Sequence, residues 1–131
     1  MTSRSIGYAR TSGGGDTKQA AGLEVQVKAL KDAGCAVVFQ EIVSTRTAEK
    51  DRHQLQAALN AVVEGDELVI TALSRLGRTQ REVINRLHDL QEKGIHVRTL
   101  DGLLNTKAMG KMAPVLIALL TGLNEVEREM N

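Results

Sequence analysis

Aromatic side chains are almost missing: Tyr8 and Phe39 stand alone and there is no tryptophan in 131 residues. The core must therefore be built from Leu, Ile, Val, Ala and Met, and a chain of this length can bury roughly two thirds of its unfolded surface in one domain. The single cysteine, Cys35, excludes an internal disulfide and fits a reducing compartment. No apolar run approaches a membrane span, and the N-terminus lacks the apolar stretch of a secretory leader, so a soluble cytoplasmic protein is expected. Charge of one sign is lacking too. With a net charge of +1, composition gives no hint of a polyanion partner, and any nucleic-acid contact has to come from local arginine clusters. His53, His88 and His96 are isolated, and no CxxC, HxxxH or HExxH spacing occurs, so neither a metal nor another cofactor is expected.

What is present is an alternation. Near-continuously apolar runs at 4–9, 36–43, 67–72 and 95–100 read as strands covered on both faces. Between them lie helical periods: Leu23, Val27 and Leu30; Leu55, Leu59 and Val62; Val83, Leu87 and Leu90. Gly34, Gly65 and Gly94 follow the helical segments, while Asp51 with Gln54 and Thr79 with Glu82 have capping-box spacing. The pattern predicts a three-layer α/β fold, a mainly parallel central sheet with helices on both faces.

In such sheets ligands bind beyond the carboxyl ends of the strands. Arg10 and Ser12 close the first strand ahead of a glycine-rich loop, and Ser74-Arg75-Leu76-Gly77-Arg78 follows the third. Serine alone commonly begins a loop. Facing several fixed cations, it becomes a candidate nucleophile for a phosphate, because arginines bind phosphate bidentately and neutralise charge that grows in the transition state. Arg52 sits at a predicted helix N-terminus, where the dipole disfavours a cation; it is either solvated or near an anion. Gln26 shares the apolar face of the first helix, as a structural amide or as one that orients Ser12 or an arginine. Ser44, after the second strand, reads either as a phosphate donor or as a turn former. The order GxxxxGK[ST] of a phosphate loop is absent from Gly13 to Lys18, which reads better as a lid.

The last segment has a different period. Met109, Met112, Leu116, Leu119, Leu123, Val126 and Met130 follow spacings of 3, 4, 3, 4, 3 and 4, a heptad seam whose amino half is expected to pack on its own domain and whose carboxyl half seeks a partner chain. Ile117 and Leu120 widen the apolar face, and Pro114 is expected to kink or weaken the helix. Lys111 and Arg128 fall outside the seam, as solvated charges or as contacts to a phosphate backbone. The chain ends at Asn131 within the pattern, as if cut from a longer parent.

Tyr8-Ala9-Arg10-Thr11-Ser12, Gln26-Val27-Lys28-Ala29-Leu30, Asp51-Arg52, Arg75-Leu76-Gly77-Arg78, Met109-Gly110-Lys111-Met112 and Glu127-Arg128 occur in this order. In these motifs the chain resembles the catalytic domain of serine recombinases of the resolvase/invertase type, over essentially its whole length. The resemblance implies a site-specific DNA recombinase, cytoplasmic and associated with bacterial nucleoid or plasmid DNA. Ser12 would attack a DNA phosphodiester, form a 5′-phosphoserine link and free a 3′-hydroxyl, with subunit exchange and religation to follow. It further implies Arg10, Arg52, Arg75 and Arg78 around the scissile phosphate, Gln26 and Ser44 assisting, no ATP or metal, and Lys111 and Arg128 as DNA contacts. Partners would be DNA and other copies of the chain, a homodimer that becomes a homotetramer at synapsis. The expected division is a catalytic core at 1–105 and the start of a long dimerisation and DNA-contacting helix at 106–131, without the family's helix-turn-helix domain. Ser74 departs from the pattern, since the family often has aspartate there. Two other readings remain at this level: a flavodoxin-like enzyme binding a phosphate ester or nucleotide through the Ser12 to Lys18 loop, and an inactive resolvase-like oligomerisation module.

Overall fold

The structure, a computed structural model, describes residues 3–11, 17–42 and 52–130. Four parallel strands, β1 (Ser5–Thr11), β2 (Val37–Ile42), β3 (Glu67–Ile70) and β4 (His96–Thr99), lie in the order β2-β1-β3-β4. Parallel neighbours require crossovers. These are α1 (Thr17–Asp32), α2 (His53–Ala61) and α3 (Gln80–Glu92), with a 3₁₀ turn at Leu73–Arg75 ahead of α3. All four predicted strands and all three helical periods are therefore present, in the predicted three-layer arrangement.

Alternation along the central strand divides the core in two. Ile6 and Tyr8 on β1 join Leu68 and Ile70 of β3 in the larger cluster, under Leu55 and Ala58 of α2, Val83 and Leu87 of α3, and Ile117 near the C-terminus. Ala9 and Val69 point the other way, under Leu23 and Leu30 of α1. Gly7 lies on that second face, where a Cβ would come within 3.2 Å of Cys35 Sγ and of Val38 Cγ2. That Cβ would also lie 3.3 Å from Leu30 Cβ of α1, so an added side chain would crowd the seat of α1 on β1.

Helix ends follow the local signals in part. Thr79 and Glu82 form a complete capping box on α3, and Gly34 and Gly94 close α1 and α3 with φ of 102° and 74°. The box expected of Asp51 and Gln54 falls on Asp51, which lies outside the described residues; the N-cap of α2 is Arg52, which makes no side-chain cap bond.

The seam also differs from its expected form. Met109 belongs to a one-turn helix, α4 (Thr106–Met109), which ends at Gly110 with φ 56° and ψ −124°; α5 (Met112–Met130) starts afresh after Lys111. Met109 and Met112 are therefore on different helices, and Lys111 lies in the turn between them. Pro114 sits in the first turn of α5, where its missing N–H has no intrahelical acceptor to lose, so the expected kink gives way to a helix start. Ala113 and Ile117 are buried on the domain, and Leu116 packs beside them. Leu119, Leu123 and Val126 are 59%, 53% and 51% exposed and form, with Met112 and Val115, an uncovered apolar line.

Candidate functional site

β1 outruns its neighbour. Its ladder with β3 stops at Gly7 opposite Val69, whereas its ladder with β2 continues to Thr11 opposite Ile42. Buried backbone groups need partners. The amide of Gln26, reaching from α1, takes them at Arg10: Nε2 donates to the Arg10 carbonyl at 2.9 Å and Oε1 accepts from the Arg10 N–H at 3.2 Å. Gln26 is thus seen as an amide bonded to the backbone, at the residue that carries the Arg10 side chain.

The Arg10 side chain shares the face of Tyr8 and is 2% exposed; its Nη2 donates to the Ser74 carbonyl at 3.2 Å. Arg52, 1% exposed, donates through Nη2 to the Tyr8 hydroxyl at 3.0 Å and to the Arg75 carbonyl at 2.6 Å, with its guanidinium 5.7 Å from the centre of the Tyr8 ring. The Tyr8 hydroxyl in turn donates to Glu41 Oε2 at 2.5 Å. Glu41, at the end of β2, also accepts from the N–H groups of Gln54 and Leu55, both at 3.1 Å. Here is the anion that the position of Arg52 called for: a carboxylate from the neighbouring strand caps α2 and meets the cation through a tyrosine hydroxyl.

The charges do not cancel. Burial depresses the Arg10 pKa, and the nearby positive charges of Arg52 and Arg75 depress it further. Burial and the hydrogen bond to Glu41 push the Tyr8 phenol far above its ordinary range, so it stays a neutral donor. The Nε groups of Arg52 and Arg75 are buried without a hydrogen-bond partner among the described residues. Three guanidiniums from β1, the start of α2 and the 3₁₀ turn are thereby brought close together at the carboxyl end of the sheet, where an anion would relieve their mutual repulsion.

Arg78 has a different environment. Its side chain is 41% exposed and its Nε lies 3.3 Å from Glu82, so it stands at the rim rather than in the buried group. Ser74 contributes its backbone carbonyl, and its side chain is exposed. Ser12 and Ser44 lie outside the described residues. Lys111 is exposed in its turn; Arg128 and Met130 are on α5, with side chains outside the described set. No cluster of metal-ligating side chains occurs among the described residues, and no helix there is long and apolar enough to cross a membrane.

Two residues of this network were not among the candidates, Tyr8 and Glu41. Each left a signal in the sequence. Tyr8 is the sole tyrosine, inside an apolar strand run, and Glu41 is the sole carboxylate in the second run.

The chain is similar to known proteins over nearly its whole length. The family described as Resolvase, N terminal domain, matches residues 5–131. The chain is 35% identical over 126 residues to the serine recombinase gin of Escherichia phage Mu, covering 95% of this chain and 60% of that protein. It is 32% identical over 127 residues to the Transposon Tn3 resolvase of Escherichia coli, covering 95% of this chain and 64% of the relative. The chain thus spans under two thirds of the length of these relatives. Among solved structures, the N-terminal catalytic domain of TP901-1 integrase superposes with a TM-score of 0.71 at 18% identity, covering 98% of both chains. A resolvase family site-specific recombinase from Streptococcus pneumoniae gives 0.64 at 16% identity, covering 98% of this chain and 89% of the other. At that identity the likeness speaks for the fold.

Proposed function

The chain belongs to the resolvase family of serine recombinases, matching its N-terminal domain over residues 5–131, and on that premise we propose that it is the catalytic domain of a site-specific DNA recombinase. Ser12 is the nucleophile. Its oxygen attacks the phosphorus of a DNA phosphodiester, forms a 5′-phosphoserine ester and expels the 3′-oxygen, which leaves as a hydroxyl. The reverse attack by a 3′-hydroxyl, after subunit exchange, reseals the strand. The phosphodiester energy is kept in the serine ester, so the cycle needs neither ATP nor metal.

The observation that carries this reading is the buried state of Arg10, whose charge is disfavoured by desolvation and by two neighbouring guanidiniums. Such a cluster is costly unless it serves an anion. Arg10, Arg52 and Arg75 would bind the non-bridging oxygens, each donor supporting the transition state by about 2.7–4 kcal/mol before non-additivity. Arg78 completes the group from the rim, Gln26 holds Arg10 in place, and Ser44 assists at the phosphate. The names of the relatives, a serine recombinase and a resolvase, favour DNA as the substrate over a small phosphate ester.

Residues 106–131 belong to dimerisation and DNA contact. The uncovered line of Met112, Leu119, Leu123 and Val126 on α5 supports pairing of two copies, as does an apolar groove of about 570 Å³ beside it, lined in part by Ile84, Leu87, Leu103 and Leu120. Met130 is assigned to the same interface by its sequence spacing alone, and a tetramer forms at synapsis. Lys111 and Arg128 contact the DNA backbone, and a separate DNA-binding domain selects the site.

The test joins the chain to a DNA-binding module, supplies a suicide recombination site and looks for protein-linked DNA after denaturation. The expected product is a covalent adduct that forms equally well in chelator and vanishes in Ser12→Ala. An adduct that survives Ser12→Ala, or one that chelation abolishes, refutes the mechanism.

A further inference from the structure

Among the four arginines proposed for the phosphate, Arg78 is the one that is exposed, and so nothing in the core fixes it. A carboxylate does. Glu82 Oε2 accepts from the Arg78 backbone N–H at 2.7 Å, and the Arg78 Nε lies 3.3 Å from both Glu82 oxygens. The same Oε2 accepts from the Thr79 N–H at 3.2 Å, while the Glu82 N–H goes back to Thr79 Oγ1. Gly77 brings these groups together: a Cβ there would lie 2.8 Å from Glu82 Cβ and 3.1 Å from the Val83 nitrogen, so the backbone before Arg78 packs directly on the first turn of α3.

The contact is made through Nε alone. Among the described residues no bond is made to either Nη of Arg78. The Nη pair is the half of the guanidinium that suits two phosphate oxygens. We propose that Glu82 is a positioning residue for the recombination chemistry: besides capping α3, its carboxylate holds Arg78 by Nε so that the Nη pair is presented to the scissile phosphate. This rests on the assignment of Arg78 to the phosphate site.

Glu82→Gln separates the two duties of the carboxylate. An amide oxygen in place of Oε2 still accepts from Arg78 N–H and Thr79 N–H, as capping boxes with glutamine do. The amide nitrogen then takes the place of Oε1 beside the Arg78 Nε–H, which keeps only the oxygen at the Oε2 position and loses the negative charge that held it. The variant should keep the parental melting temperature and DNA affinity yet form the covalent adduct roughly three- to tenfold more slowly in single turnover, the size expected for a partly exposed charge contact. Thr79→Ala, which loses the cap but leaves Glu82 on Arg78, should lower the melting temperature and leave the rate unchanged. In an Arg78→Lys background, Glu82→Gln should add no further loss.

A Glu82→Gln rate equal to or above the parent overturns the proposal. So does a Thr79→Ala loss of rate matching that of Glu82→Gln, because the effect would then be one of helix stability. Absence of adduct from the parent chain would instead sink the recombinase reading, which keeps the two failures apart.

Discussion

Removing the Glu41 carboxylate should be among the most damaging changes open to a side chain that is only half-buried. Glu41→Ala strips three acceptor contacts at once: those to the Gln54 and Leu55 N–H groups, at 3.1 Å each, and that to the Tyr8 hydroxyl. Loss of a helix cap costs about 0.5–2 kcal/mol. The Tyr8 hydroxyl, on a fully buried residue, loses its acceptor at about 1–3 kcal/mol. Together these give a destabilisation of roughly 2–4 kcal/mol, allowing for some overlap, and for a chain of this length a fall in melting temperature on the order of 10 °C. Calorimetry on the variant measures it directly. Tyr8→Phe provides the cross-check, since it removes the group that Glu41→Ala would strand; the double variant should be less destabilised than the sum of the singles by about 1 kcal/mol. A fall of less than about 2 °C for Glu41→Ala, or strict additivity with Tyr8→Phe, would mean that β2 and α2 are not joined through this carboxylate.

Tyr8 is the only tyrosine and there is no tryptophan, so tyrosinate absorbance reports this one group. Its folded pKa is raised, first by burial and then by Glu41. The native chain should show no tyrosinate signal at pH 11, whereas the denatured chain should titrate near about 10. The linked stability is complete below the unfolded value and declines as pH rises above it; a native midpoint near 10 would refute the buried placement. Cys35 is buried with its thiol pushed up to about 11, so its thiolate at pH 8 is a fraction on the order of 0.001. Alkylation of the native chain should be on the order of 100-fold slower than in denaturant, and comparable rates would place Cys35 at the surface.

The fold was legible because its signals are local and redundant. Each strand announced itself through an unbroken apolar run, each crossover helix through its period, and α3 through a capping box that two nearby residues complete. The misreadings arose where a distant residue satisfied a local need. The cap of α2 is supplied by Glu41, 11 positions before the N-cap Arg52 and on another strand, and no spacing rule within the helix can disclose it. The seam failed for the opposite reason. Apolar spacing runs smoothly across Gly110 and Lys111, but the backbone at Gly110 leaves the helical region, so a continuous sequence pattern covers two helices.

The site was legible as a list of charges rather than as a geometry. Arg10, Arg52 and Arg75 follow strand ends or begin a helix, and the last two lie close enough to depress the Arg10 pKa. What the list could not supply is depth. Arg10 and Arg52 are among the largest side chains to be fully buried, a state that composition argues against for arginine. Depth changes their chemistry: a surface arginine is held loosely and screened by salt, whereas these are fixed by backbone carbonyls, a tyrosine ring and a glutamine that braces the strand. The cost of burying like charges together is only partly offset within the fold, by neutral dipoles and by Glu41 at one remove. Arg78 and Glu82 show the contrasting solution at the rim, where a carboxylate touches the guanidinium directly because water already screens the pair. A cation deep in the sheet is positioned by packing, and one at the edge must be positioned by charge.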